Sequence, residues 1–125
     1  MESVFVHGPL PQKELAGEMS DAFLYLYPNT FGETSCISVM ESMSLGVPVI
    51  TSRKGALPET VHEGCGILID GDPYAEEYRR KFIESTVTAA TDRVLWKKMH
   101  ETCLEQDYTW KSVVDQWEKL FNEIL

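Results

Sequence analysis

Three short runs constrain this chain most: Ala22-Phe23-Leu24-Tyr25-Leu26-Tyr27, Val47-Pro48-Val49-Ile50-Thr51 and Ile67-Leu68-Ile69 are apolar almost throughout. A strand with one wet face alternates apolar and polar residues, because successive side chains point to opposite sides. A strand covered on both faces does not alternate, and such strands belong to parallel sheets layered with helices. Segments of helical period separate the runs. The predicted architecture is therefore α/β: a three-layer, Rossmann-like parallel sheet followed by C-terminal helices.

Val4-Phe5-Val6, stopped by Gly8-Pro9-Leu10-Pro11, reads as a further strand, which brings the expected sheet to about four. Gln12 to Met19 carries Leu15 and Met19 one helical turn apart, a short amphipathic helix. Thr34 or Ser35 is placed to cap the next helix. Ile37, Met40, Ser44 and Leu45 form its expected apolar side. Gly46 ends it at C′, with Pro48 beyond. Pro58 to His62 is a helical turn. Three helices then follow, over Tyr74–Ala90, Arg93–Glu105 and from Thr109. Glu76–Arg80 and Glu77–Lys81 mark a solvated face on the first of them. Val94, Leu95, Met99 and Cys103 are the expected buried side of the second, and Val113, Val114, Trp117, Leu120, Phe121 and Ile124 stripe the third.

A length of 125 residues suits one domain. The net charge of −9 argues against nucleic acid, whose binding needs Lys and Arg against phosphates. It also places any cationic phosphate clamp mostly outside this sequence. Cys36, Cys65 and Cys103 are widely spaced and form no CxxC pair, so neither a metal site nor dithiol chemistry is expected. Reduced thiols, no signal peptide and no apolar run of the ~20 residues a bilayer needs make the expected location cytoplasmic. Cys36 near a helix start is a candidate nucleophile, but no His lies near it in sequence. Among the histidines, His7 stands at a strand end, and His62 and His100 read as surface residues. The three tryptophans read as packing residues.

Chemistry concentrates between the first and second apolar runs. Glu33 and Glu41 stand eight residues apart, where a strand hands over to a helix. Ligands of open α/β sheets bind at the carboxyl ends of strands, and a helix start there offers free amides and a positive dipole end to phosphate or sugar oxygens. Eight helical residues span about 12 Å, wider than the roughly 5–9.5 Å that separates a glycosidase acid–base pair. The spacing suits contacts at two ends of an extended ligand. Taken without their surroundings, the same two residues read as a first-turn helix charge and a solvated side chain.

The surroundings form an ordered set. Glu33 through Glu41 is followed by Gly46-Val47-Pro48-Val49-Ile50, Gly55-Ala56-Leu57-Pro58-Glu59 and Gly66-Ile67-Leu68-Ile69, and preceded by Gly8-Pro9-Leu10 with Glu14-Leu15. This set resembles the donor-binding domain of the retaining, GT-B-fold glycosyltransferases of the group-1 family, with its Glu-x7-Glu motif. Two positions depart from the family pattern. Thr34-Ser35-Cys36 replaces Gly-Phe-Gly, and Ala56 replaces the second glycine of a pair, where a Cβ forfeits the freedom of positive φ.

The resemblance implies that residues 1–125 are a fragment of a C-terminal nucleotide-sugar-binding domain, part of a GT-B fold. It implies a parent enzyme that transfers a sugar, with retention, from a nucleotide-diphosphate sugar to an acceptor. No cofactor is implied beyond that donor substrate. Glu33 matches the catalytic-site glutamate near the donor sugar, and Glu41 the one that accepts from ribose hydroxyls. Thr34, Ser35 and Cys36 match the amide-lined turn around sugar and diphosphate. The missing N-terminal domain of the parent is the implied partner, and the last helix is expected to cross to it. Met1 leads almost directly into a strand with no phosphate-binding turn before it, so the chain reads as the second half of a nucleotide-binding domain. Without the acceptor domain and that upstream half, the isolated chain is expected to bind donor weakly and to be inactive in sugar transfer. The alternatives are a nucleotide-sugar epimerase of the same fold and a non-catalytic nucleotide-sugar-binding module. A receiver-like regulatory domain is disfavoured, since the strand ends lack its acidic cluster.

Overall fold

The computed structural model describes residues 3–125. The order is α1 Gln12–Ser20, β1 Tyr25–Tyr27, α2 Ile37–Ser44, β2 Val49–Ser52, α3 Leu57–Thr60, β3 Gly66–Ile69, α4 Glu76–Thr91, α5 Arg93–Leu104 and α6 Trp110–Ile124. The strands form one parallel sheet in the order β1-β2-β3, with Tyr25 opposite Val49 and Val49 opposite Gly66.

β2 is central and buried along its whole length. Its alternate residues enter two separate cores, as the pleat requires. Val49 packs with Val39 and Met43 of α2, Leu57 of α3, Cys65 and Cys103. Ile50 packs with Ile69, Tyr78 and Ala89 of α4, and Met99. Helices thus cover both faces, and α5 contributes to both cores through Cys103 and Met99. This is the expected three-layer α/β arrangement.

Several local expectations change. The sheet has three strands among the described residues rather than about four. Val4-Phe5-Val6 is not a strand, and the three side chains are 77–92% exposed. So short a segment gains few ladder bonds against the entropy of ordering it, and Gly8-Pro9 ends it at once. In α2 the buried residues are Val39, Ser42 and Met43, and Ile37 lies 67% exposed on the opposite side. On α5, Met99 and Cys103 are buried as expected, whereas Val94 faces solvent. On α4 the ion pairs are Glu77–Lys81 at 2.7 Å and Arg80–Glu84 at 2.8 Å, so Arg80 turns toward Glu84 rather than Glu76.

The ends of the elements explain much of the rest. Gly46 has φ +76 and ends α2 as expected, and a Cβ there would strike the His100 ring. His100 is no free surface residue: its Nδ1 meets the Gly46 carbonyl at 2.5 Å and its ring stacks on Trp96. Trp96 also stacks on Phe23 and donates from Nε1 to its carbonyl at 2.8 Å. Asp92 accepts from Val94 and Leu95 to cap α5, and Thr109 accepts from Ser112 to cap α6. The stripe of α6 is open to solvent, including Trp117 and Phe121. Among the described residues no helix is long and apolar enough to cross a membrane.

Candidate functional site

The candidate site gathers at the carboxyl ends of β1 and β2. Tyr27 ends β1, and the chain then runs through an irregular stretch to α2. A polar cluster floors this stretch. Asn29 is buried, its Oδ1 accepts from the Phe31 amide at 2.8 Å, and its carbonyl accepts from Ser52 Oγ at 2.5 Å. Because the Ser52 proton is used there, Tyr78 donates to Ser52 Oγ, at 2.6 Å. Asn29 Nδ2 is the buried side-chain nitrogen without a partner among the described residues.

Glu33 sits on this stretch, outside the helix. Its carbonyl accepts from the Ala56 amide at 2.7 Å, and Gly55, with φ +57, lies flat against its backbone. Its carboxylate is half-buried, and Oε1 accepts from the Tyr27 hydroxyl at 2.6 Å. That bond, with burial second, pushes the Tyr27 phenol well above the usual tyrosine range. α2 has no acidic residue in its first turn, so Glu33 is not a charge placed to offset the helix dipole.

The cap of α2 differs from expectation. Neither Thr34 nor Ser35 caps it; both are exposed, and neither makes a hydrogen bond among the described residues. Cys36 stands at the N-cap with φ −100 and ψ 95, its side chain buried in the core. The capping hydroxyls come one and two residues too early, because the Gly55–Ala56 turn holds Glu33 and delays the helix. The start of α2 is left without a side-chain cap. Near it, Tyr25 donates to Ser38 Oγ at 3.0 Å, and Cys36 Sγ lies 3.4 Å from the same oxygen.

Glu41 lies on α2, turned toward α1. Gln12 donates from Nε2 to its Oε1 at 3.4 Å. Beside it a cavity of about 120 Å³ is lined by Leu15, Ala16, Met19 and Leu45, with Gln12 and Glu41 at its polar end. The two glutamates therefore face different neighbours and do not share a proton-transfer couple. His7 lies apart from both, 3.9 Å from Glu18. Lys54, just before Gly55, makes no ion pair among the described residues, and Arg53 pairs with Asp70 at 3.1 Å. Among the described residues no group of three or more His, Cys, Asp or Glu side chains is arranged to hold a metal ion.

Sequence reasoning missed Tyr27, Asn29, Ser52 and Gln12. Tyr27 carried a signal, since it is the polar-tipped residue at the strand's carboxyl end, directly before Pro28.

The sequence also matches known proteins. Residues 1–85 match the family described as Glycosyl transferases group 1. The chain is similar to a D-inositol 3-phosphate glycosyltransferase of Corynebacterium glutamicum, 30% identical over 94% of this chain and 27% of the relative. The protein of the same description in Corynebacterium efficiens is 28% identical over 92% of this chain and 26% of its own length. A glycogen synthase of Pelodictyon phaeoclathratiforme is 24% identical over 91% of this chain and 26% of the relative. The chain spans about a quarter of the length of these curated relatives.

Proposed function

The chain belongs to the group 1 glycosyltransferases, and from that premise we propose that residues 1–125 bind the nucleotide-diphosphate sugar donor for a retaining, GT-B-fold enzyme. One observation supports this reading above the others. The Glu33 carboxylate is held at the carboxyl end of β1, beside a helix start without a side-chain cap, while Glu41 on that helix faces a separate cavity. A donor laid along α2 would meet each in turn.

In this reading the first-turn amides of α2 and the exposed Thr34–Ser35 backbone receive the diphosphate, with Cys36 fixing the turn from the core. Free amides and the positive helix end suit that charge. Glu41 takes the ribose diol, since one carboxylate accepts two hydroxyls well. The base lies beyond it, against the apolar wall of Leu15, Ala16 and Met19. Glu33 receives hydroxyls of the donor sugar, and its negative charge stabilises the positive charge that develops as the glycosidic bond breaks. The acceptor comes from outside this chain, as do the remaining phosphate-binding cations. We place the enzyme in the cytoplasm, where nucleotide sugars would reach a site of this kind.

The test is an amide NMR titration of the chain with UDP, GDP, UDP-glucose and GDP-mannose. Shifts are expected over residues 33–41 and at Gly55 and Ala56. Shifts confined to other surfaces overturn the reading. The chain alone is expected to transfer no sugar, and measurable turnover by it would refute that part.

A further inference from the structure

We infer that Tyr27 is a positioning residue that aims the Glu33 carboxylate, taking one of its oxygens and leaving the other for the ligand. The inference rests on the reading of Glu33 as a donor-sugar contact and adds a residue to that site.

Both ends of the 2.6 Å bond between Tyr27 and Glu33 are fixed independently. Tyr27 is held within β1, in register with Thr51, whose hydroxyl donates to the Tyr27 carbonyl at 2.6 Å. Its ring stacks on Tyr25, with centroids 6.0 Å apart. On the other side, the Glu33 backbone is clamped by Gly55 and by the Ala56 amide at 2.7 Å. The bond therefore joins two rigid pieces and fixes the torsions of the side chain between them.

The donor's chemistry matters as much as its position. An Arg or Lys in this place would hold the carboxylate and also neutralise it. A phenol holds it with a charge-assisted bond and leaves its negative charge in place. Only Oε1 is taken, and Oε2 has no partner among the described residues. Tyr25, on the same face of β1, spends its hydroxyl on Ser38 at 3.0 Å and does not compete. One tyrosine thus serves the start of α2 and the other serves Glu33.

Tyr27→Phe keeps the stacked ring and deletes the donor. In the free chain, the α–β proton couplings of Glu33 report its rotamer. They are expected to show a single rotamer in the wild type and averaging in Tyr27→Phe. The ζ-carbon resonance of Tyr27 is expected to titrate at lower pH in Glu33→Gln than in the wild type. Couplings that are already averaged in the wild type, or Tyr27 titration unchanged in Glu33→Gln, overturn the proposal. Should Tyr27→Phe not fold, the Glu33→Gln titration decides alone. The donor is read separately, as the ratio of UDP-glucose to UDP affinity and of GDP-mannose to GDP affinity. Tyr27→Phe is expected to lower that sugar increment by about tenfold and to leave the diphosphate affinities as they are. If neither sugar adds affinity in the wild type while the NMR effects hold, Tyr27 still positions Glu33 and the donor-sugar role of Glu33 fails.

Discussion

At the scale of single residues, the site depends on a glycine. Gly55 has φ +57, and a Cβ there would fall on the backbone nitrogen and oxygen of Glu33. Gly55→Ala must therefore both strain its own backbone and push the Glu33 stretch away, at a cost of about 1–3 kcal/mol. The neighbouring Ala56 has φ −81 and ψ −1, ordinary right-handed geometry. The family's second glycine is unnecessary here, and Ala56→Gly is expected to destabilise by roughly 0.4–1 kcal/mol through the unfolded chain. Urea unfolding checks both, and only Gly55→Ala should also weaken nucleotide-sugar binding. A Gly55→Ala chain as stable as the wild type would contradict the close packing on Glu33. Glu33, Glu41 and Gly55 stood out in sequence as candidates because their spacing and order are a local pattern. Tyr27 was not, because within an apolar strand its hydroxyl carries no pattern, and its partner is revealed only when the chain turns at Pro28. The cap of α2 was misplaced for a related reason: Thr34 and Ser35 have the right chemistry, but a turn distant in sequence fixes where the helix begins.

At the scale of elements, the three apolar runs were readable because burial on both faces leaves no polar residue to confuse the period. Val4-Phe5-Val6 has the same composition, yet no pairing holds it, and composition cannot report pairing. The contact between α5 and the residue that precedes β3 gives a prediction that sequence would not. Cys65, just before β3, and Cys103 of α5 are both fully buried, and Cys103 lies 3.5 Å from the Cys65 carbonyl. Burial pushes both thiols above the ordinary cysteine range, and for Cys103 the neighbouring Cys65 adds to it. The folded state therefore keeps these protons while the unfolded chain loses them. Stability from this source is complete below the unfolded thiol pKa, about 8.5, and falls as pH rises from there toward the folded values. Urea midpoints measured in reducing buffer should drop steadily between about pH 8.5 and 10.5. Cys103→Ala should be less stable at neutral pH, because it leaves a cavity, but should show a shallower alkaline decline. A wild-type midpoint that stays level over that window would count against the buried, protonated pair.

At the scale of the whole molecule, α6 stands apart. It is capped by Thr109 and its apolar residues lie on one stripe, yet Trp110, Val113, Val114, Trp117, Leu120, Phe121 and Ile124 are all exposed. A strongly amphipathic helix gains most of its stability from the surface it covers, and α6 covers little of this chain. Contiguous exposed apolar surface of this kind marks an interaction face. Each ~100 Å² removed from water contributes about 2.5 kcal/mol, against an association cost of roughly 4–15 kcal/mol. Partial overlap of two stripes is then enough for weak self-association that depends on concentration. The net charge of −9 opposes it. Salt screens that repulsion over about 10 Å at 0.1 M and far less distance at 1 M, while leaving apolar burial intact. Sedimentation velocity should therefore show association that grows with concentration and with added salt. Trp117→Glu combined with Phe121→Glu should abolish it without altering the sheet or the proposed nucleotide-sugar site, because neither residue touches either core. Association that weakened with salt would point to charge pairing instead. Association that survived the double substitution would move the contact away from α6.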